Sequence, residues 1–267
     1  MFEILQYNFF QNALLSGIII SLIASILGVF IVMRKEANIT HSIANFLFLG
    51  VAVSLLMNKD YYLFAFIFAI IGSFLIYFIE KTKYITSEST KEIISQAGIA
   101  GGIFTLGFIG NLTLDINNFL FGNILFINKS DLIILSIFAI IIYILFFIFK
   151  DKFLSIIINE DIAKSIGINT SIYNISFLII LSLFIAISIK MFGIMLIGAF
   201  LIIPVNTAKI VSNSLKKVFI CSLIFSILSV IIGLFSSYFL GTSSSATIVL
   251  ILIIFFIMAL INKRVRN

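Results

Sequence analysis

Long apolar segments separated by short polar ones run through the whole 267-residue chain. A helix needs about 20 consecutive apolar residues to cross the hydrocarbon core of a membrane. Nine segments meet or approach this length, and they lie at 12–33, 43–57, 61–79, 93–109, 132–149, 172–189, 192–211, 218–240 and 246–261. The pattern predicts an all-α polytopic membrane protein with about nine transmembrane helices in a single transmembrane domain, residues 1–267. The alternative is eight spans and one half-inserted element.

The positive charges divide unevenly between the loops, and this predicts an orientation. If the N-terminus lies outside and the spans alternate, three of the 17 Lys and Arg residues fall outside: Lys59, Lys129 and Lys190. The other fourteen fall inside: Arg34, Lys35, Lys81, Lys83, Lys91, Lys150, Lys152, Lys164, Lys209, Lys216, Lys217, Lys263, Arg264 and Arg266. Cytoplasmic loops are the ones enriched in Lys and Arg. The N-terminus is therefore predicted outside and the C-terminus in the cytoplasm.

Composition excludes several classes of function. The chain is 62% hydrophobic and 10% charged, against about 45–50% and about 25% in soluble domains. The net charge of +6 then reflects the inner loops, and no nucleic-acid partner is expected. No segment matches a P-loop, so ATP hydrolysis would need another subunit. No acid falls clearly in mid-span, which argues against a proton-relay carrier, and no catalytic constellation is visible.

The second span opens with the only histidine of the chain. His41 is followed one helical turn later, on the same face, by Asn45, and both precede an apolar run. Imidazole is a good ligand for zinc, manganese, iron and copper ions. One histidine does not make a site, and a helix cap or an interface residue is the alternative interpretation.

Two loops are longer than turns. The outer loop, 111–131, contains an apolar piece at 117–126 that is too short to span and is predicted to be interfacial or re-entrant. The inner loop, 151–169, contains a predicted short amphipathic helix at 159–167. Asn159 would cap this helix, Glu160 and Asp161 would lie at its positive end, and Gly167 would end it. Such a helix would contact a cytoplasmic partner or lie on the lipid headgroups.

The seventh span contains the only proline, Pro204, which removes one helical N–H and frees a carbonyl one turn back. Asn206, Thr207 or a neighbouring helix is a candidate donor to that carbonyl. Gly193 and Gly198 would allow close packing of neighbouring helices. An ordinary kinked packing helix is the alternative to a functional hinge.

The fourth span combines a polar residue with small ones. Gln96 is predicted to be buried between helices, where its amide would hydrogen-bond across the interface; the alternative is that it faces a pathway. Gly98 and Gly102 have the G-x-x-x-G spacing that brings two helices close together.

Taken together, these motifs resemble the permease subunit of the bacterial ABC importers for zinc, manganese or iron, and most of all the high-affinity zinc uptake permease. The resemblance covers nearly the whole chain. It rests on LGVA at 49–52, FLFGNIL at 119–125, NEDIAKSIG at 159–167 and GAFLIIPVNTA at 198–208.

The resemblance implies a permease in the bacterial inner membrane that works as a homodimer. Each copy would contact a cytoplasmic ATP-binding subunit, and a periplasmic or external metal-binding protein would deliver the ion. The ATPase-docking residues would be Asn159, Glu160, Asp161, Ala163 and Gly167. No tightly bound cofactor is implied, since the divalent metal, zinc first, is the cargo.

The second span departs from the family pattern, which has an Asp and a His one turn apart. Counted back from Gly50, His41 falls at the position of the Asp and Asn45 at that of the His. A shift of one turn would put His41 on the His, and in both alignments the Asp is missing. The pair is thus predicted to be a weak metal site on the translocation pathway.

Three other interpretations stay open from the residues alone. One is a secondary carrier or channel for a small ion that works without ATP, and copurification with a soluble ATPase would distinguish it. Another is a membrane-embedded enzyme. The third is a permease degraded by genome reduction, which the loss of the Asp would fit.

Overall fold

The structure is a computed structural model that describes residues 7–109, 122, 124 and 127–266. In these ranges the regular elements are α-helices, with one residue of 3-10 helix at Ile124. They are α1 Asn8–Met33, α2 Asn38–Leu56, α3 Tyr61–Thr82, α4 Ser87–Gly107, α5 Lys129–Ile158, α6 Glu160–Ser165, α7 Thr170–Val211, α8 Leu215–Leu240 and α9 Ser244–Arg266. The predicted all-α polytopic architecture is confirmed.

Seven of the described helices are long and apolar enough to cross a membrane. The chain is therefore a multi-pass integral membrane protein. Helix α4, which contains the predicted fourth span, is not among the seven. The predicted sixth and seventh spans both lie in α7, whose 42 residues would extend about 63 Å if straight, twice the thickness of a bilayer core. The exact span count, the orientation and the single domain stay predictions.

Two compact units divide the chain. The first unit comprises Met1–Lys35, Leu120–Ile141 and Lys190–Asn267, so it holds α1, α8, α9, the first part of α5 and the second part of α7. The second unit comprises Glu36–Phe119 and Ile142–Ile189, so it holds α2, α3, α4, α6, the second part of α5 and the first part of α7.

In the first unit, α1 packs closely against α7 and α8 through glycines. A methyl group at Gly17 would lie 2.5 Å from Val230 Cγ1, and one at Gly28 would lie 3.1 Å from the carbonyl carbon of Leu201 and closer still to its oxygen. Small residues at these positions let helix backbones approach, as is usual where there is no hydrophobic force between helices in lipid. A buried cluster fills the contact: Val29, Val32, Val205, Ala208 and Val218.

Gly28→Ala should destabilise the first unit, because the new methyl group meets the rigid backbone of Leu201. Overpacking of this kind costs roughly 1–3 kcal/mol. Gly198→Ala is the matched control, since a methyl group there meets no described atom within 4 Å and alanine favours helix by about 1 kcal/mol over glycine. Thermal unfolding of the purified chain should give a lower Tm for Gly28→Ala and an unchanged or higher Tm for Gly198→Ala. Equal Tm values for the two variants would contradict the packing described.

Candidate functional site

The first turns of α2 bring together the two residues predicted as a metal site. The Asn45 amide nitrogen lies 3.0 Å from His41 Nε2, as the spacing of one turn predicts. The same nitrogen donates to Ser95 Oγ on α4, at 2.8 Å. His41 is exposed, while Asn45 is 6% exposed and Ser95 is 1% exposed. The three side chains thus form a polar path that runs from an accessible ring into the α2–α4 interface.

Glycines on α4 allow α2 and α4 to approach each other closely. A methyl group at Gly98 would lie 2.6 Å from the carbonyl carbon of Asn45, and one at Gly102 would lie 2.8 Å from Phe48 Cε1. The predicted close packing through Gly98 and Gly102 is confirmed. Since Gly98 touches the backbone of α2 at Asn45 itself, it also sets the position of the polar pair.

The prediction that Gln96 is the buried polar residue of α4 is wrong. Its side chain is exposed and donates to Glu92 Oε1 at 2.7 Å, one turn away on the same helix. The buried polar residue that reaches α2 is its neighbour Ser95. The sequence holds both candidates, and only the rotation of α4 about its axis decides between them.

The hydrogen bond determines what chemistry the pair offers. When the Asn45 amide donates to Nε2 of a neutral His41, that nitrogen is the acceptor and Nδ1 carries the proton. A cation that takes the Nε2 lone pair must displace the amide N–H. A half-turn of the amide would then put its oxygen in the same place, where it can accept from Ser95 and also face the cation. The pair therefore offers one nitrogen and one neutral oxygen ligand.

The helix that carries the pair offers no acidic ligand. Helix α2 carries no acidic residue. Across the described ranges, no three His, Cys, Asp or Glu residues lie together in a way that could hold a metal ion. The structure brings His41 and Asn45 together, and their role as a weak metal site stays a prediction.

The short inner helix has the start and the end predicted for it. Asn159 Oδ1 accepts from the backbone N–H groups of Asp161, at 2.9 Å, and Ile162, at 3.1 Å. At the other end, Gly167 has a φ of 85°. Its N–H donates to the Lys164 carbonyl, and the next N–H, that of Ile168, donates to the Ala163 carbonyl. This pair of bonds is a Schellman motif, which explains why glycine is needed there.

One side of α6 is anchored and the other is open. Ala163 is fully buried in the second unit. Ile158, Ile162 and Ile166, spaced one turn apart, are 73%, 58% and 64% exposed; we call them the isoleucine stripe. A surface of this kind is typical of a contact with another protein or with lipid.

The charged residues of α6 are paired with one another. Lys164 Nζ lies 3.1 Å from Glu160 Oε1 and 3.8 Å from Asp161 Oδ1. The hydrogen bond and the charge of Glu160 raise the pKa of Lys164 above its ordinary value. Lys164 is therefore a permanent cation beside the isoleucine stripe. Glu160 also accepts from the Asn174 amide at 3.3 Å, which ties α6 to the start of α7.

The break in α7 lies at Gly193 rather than at Pro204. Gly193 has φ 72° and ψ 166° and is the residue with non-helical angles inside α7, while Pro204 stays within the helix. Asn206 donates to the Ile202 carbonyl at 3.0 Å and Thr207 to the Ile203 carbonyl at 2.8 Å. Neither donates to the Phe200 carbonyl, the one that Pro204 frees, so that prediction is wrong. Gly198 has no close neighbour in the described part of the chain.

Several contacts surround the break in the first unit. Gly122, with a φ of 65°, lies so close to the backbone of Phe192 and Gly193 that a methyl group on it would be 2.8 Å from Phe192 Cα. Ser245 Oγ donates to the Phe192 carbonyl at 3.3 Å. Of the predicted interfacial piece at 117–126, only residues 122 and 124 are described.

An ion pair that the sequence did not indicate lies next to the break. Lys190 Nζ donates to Asp131 Oδ1 at 2.8 Å, and the Asp131 side chain is 6% exposed. The two residues are 59 positions apart, so no local pattern predicts their pairing. Both belong to the predicted outer side, and together they link the start of α5 to α7.

Known proteins of one kind are similar to this chain over nearly its whole length. The profile of the ABC 3 transport family matches residues 6–263. The high-affinity zinc uptake system membrane protein ZnuB of Haemophilus influenzae is 31% identical over 98% of this chain and 99% of its own length. The manganese transport system membrane protein MntC of Listeria monocytogenes is 30% identical over 96% of this chain and 91% of its own length.

A solved structure agrees with the fold. PsaBC from Streptococcus pneumoniae, determined in complex with a Fab, superposes with a TM-score of 0.85 and is 29% identical in sequence; the match covers 96% of this chain and 92% of that one. The matched profile spans all nine described helices apart from the last residues of α9. The chain belongs to the ABC 3 transport family.

Proposed function

We propose that this chain is the membrane-spanning permease subunit of an ATP-driven importer of divalent metal ions in the bacterial cytoplasmic membrane. The observation that carries the proposal is the full-length similarity to proteins named for zinc uptake and for manganese transport. The His41–Asn45 pair supports it, because an imidazole and an amide lie side by side at the position where the resemblance implies the metal pathway.

Zinc is the favoured cargo. Manganese binds best to carboxylate, carbonyl and water oxygens, whereas imidazole suits zinc. At the pair, this chain has an imidazole and a neutral amide and lacks the expected carboxylate. The change removes more binding energy for manganese than for zinc, so the donor set favours zinc.

The pair acts as a passing point for the ion. His41 is exposed and would contact the cation first, and Asn45 would add its oxygen after the half-turn of the amide. Two neutral ligands hold a divalent ion weakly, and the ion keeps its remaining water ligands. Weak binding suits transport, because an ion that enters must also leave.

A separate cytoplasmic ATP-binding subunit would supply the energy through α6. Helix α5 has 30 residues, or about 45 Å, and exceeds the hydrocarbon core by about 15 Å. In the predicted orientation its last turns project on the cytoplasmic side and carry α6 beyond the headgroups. The isoleucine stripe is then open to a protein partner. A second copy of the chain and an external metal-binding protein complete the importer.

Uptake of radioactive zinc, manganese and iron tests the cargo and the pair in cells that express the chain with its ATPase and binding protein. We expect zinc to accumulate, and His41→Ala to lower its initial rate by about 10-fold or more, as loss of a partner at a metal site commonly does. Ser54→Ala is the control, since Ser54 is buried at the other end of α2 and its hydroxyl donates within its own helix, to the Val51 carbonyl.

The outcomes separate the parts of the proposal. Absence of transport for all three metals would refute metal import. Faster manganese than zinc uptake would overturn the preference for zinc. An unchanged rate in His41→Ala would remove the pair from the pathway.

Asn45→Asp, which has the same shape and restores a charge, should tighten metal binding to the permease.

A further inference from the structure

A groove of about 630 Å³ lies in the first unit, between the second part of α7 and α9. Its walls are apolar over most of their length and are formed by Ile202, Ile203, Ile210, Ile253 and Phe256. Its polar lining consists of Asn206, Lys209 and Lys263. Lys209 lies in the last turn of α7 and Lys263 near the end of α9, so the cations are at one end of the groove and the apolar wall extends away from them.

The two lysines pair with no acidic residue in the described part of the chain. Residues 190–267 contain seven Lys and Arg and no Asp or Glu. Neither Lys209 nor Lys263 forms an ion pair with any residue that the structure describes. Both are exposed. Two cations at the mouth of an apolar groove make a site for a ligand with a negative head and an apolar body.

We propose that this groove binds one anionic phospholipid, such as phosphatidylglycerol, from the leaflet that the predicted orientation places on the cytoplasmic side. The phosphate contacts Lys209 and Lys263, and the first part of an acyl chain lies along Ile203, Ile253 and Phe256. Basic pockets between helices on this side of a membrane are suited to anionic headgroups.

The dimensions agree with a lipid rather than with free phosphate. Seven residues separate Ile202 from Lys209 and ten separate Ile253 from Lys263, so the apolar wall reaches about 10–15 Å below the cations. That depth corresponds to the upper part of an acyl chain. Free phosphate would use only the mouth and leave the apolar wall without a ligand.

The absence of tryptophan from the chain allows a direct test. Phe256→Trp puts a single fluorophore in the groove of the full chain, which is then reconstituted in phosphatidylcholine vesicles. Dibrominated phosphatidylglycerol or dibrominated phosphatidylcholine is added as the quencher. We expect phosphatidylglycerol to associate about 10-fold more strongly than phosphatidylcholine. In the same background, Lys209→Gln with Lys263→Gln should abolish the preference, and Lys216→Gln with Lys217→Gln should preserve it.

The controls make each outcome decisive. Lys216 and Lys217 are exposed on the same predicted side but do not line the groove, so a loss of preference in both double variants would refute a specific site. Equal quenching by the two lipids would also refute it. Absence of quenching by either lipid would mean that protein, such as a second copy, covers the groove. Competition by inorganic phosphate would identify a free-anion site and overturn the proposal of a phospholipid.

A second measurement does not depend on the tryptophan. Native mass spectrometry of the unaltered chain, released from detergent after exposure to equal amounts of the two lipids, should show one retained phosphatidylglycerol per chain. Lys209→Gln with Lys263→Gln should lose it. Retention of both lipids in equal amounts would overturn the proposal.

Discussion

Gly98→Ala should separate α2 from α4 and remove the hydrogen bond between Asn45 and Ser95. The new methyl group would lie 2.6 Å from the carbonyl carbon of Asn45 and nearer still to the Phe46 Cα. Both are backbone atoms, so no side-chain rotation relieves the clash and one helix must move. We expect a loss of about 3 kcal/mol, the upper end of the usual cost of overpacking. Thermal unfolding of the purified chain should show a lower Tm, and metal uptake should fall to background.

The same helix provides the control for this experiment. A methyl group at Gly107 has no described neighbour within 4 Å, so Gly107→Ala should leave both the Tm and the uptake unchanged. Normal uptake in Gly98→Ala would show that the closeness of α2 and α4 does not set the position of the polar pair. A normal Tm together with lost uptake would show that Gly98→Ala acts on the translocation pathway and not on stability.

Ile162→Glu should prevent the chain from copurifying with its ATP-binding subunit. Ile162 is the central member of the isoleucine stripe and points away from the buried Ala163. A carboxylate there costs little in the separate chain, because the side chain is 58% exposed. In a protein interface it would be desolvated beside Asp161 and Glu160, which costs several kcal/mol. We expect a loss of about 100-fold or more in the amount of ATPase recovered.

Tyr84→Glu is the matched control, since Tyr84 is 92% exposed in the connection between α3 and α4, on the same predicted side. It adds the same charge away from α6 and should leave the complex intact. Copurification of the ATPase with Ile162→Glu at the normal level would move the docking surface elsewhere. Equal losses in both variants would show that net charge, and not the stripe, controls the association.

Local chemistry made α6 predictable. Asn159 and Gly167 act within four residues of the groups that they bond, so their sequence positions suffice to determine where the helix begins and ends. The apolar lengths of the spans were equally informative, because lipid requires backbone groups to be bonded within a helix. Each predicted span lies in a described helix, apart from one or two residues at the ends of α2 and α4.

Features that depend on distant contacts were less predictable. Proline is the usual cause of a helix kink, yet the non-helical residue of α7 is Gly193, which packs against Gly122. That contact joins residues 71 positions apart. Similarly, the His41–Asn45 bond follows from spacing on one helix, whereas the partner Ser95 depends on how α4 is rotated.

Most side chains of α5 are not constrained by packing within the chain. Only 11% of its most apolar 18-residue segment is buried within the chain. Several of its large side chains are exposed: Ile137, Ile140, Tyr143 and Phe147. Lipid accepts any of the large apolar residues at these positions. The outward face of α5 is thus free to drift in evolution among Ile, Leu, Phe and Val, while the residue facing inward at Leu135, which is fully buried, is not. Among related sequences, the positions of α5 that vary should therefore recur with a helical period and mark the face that contacts lipid.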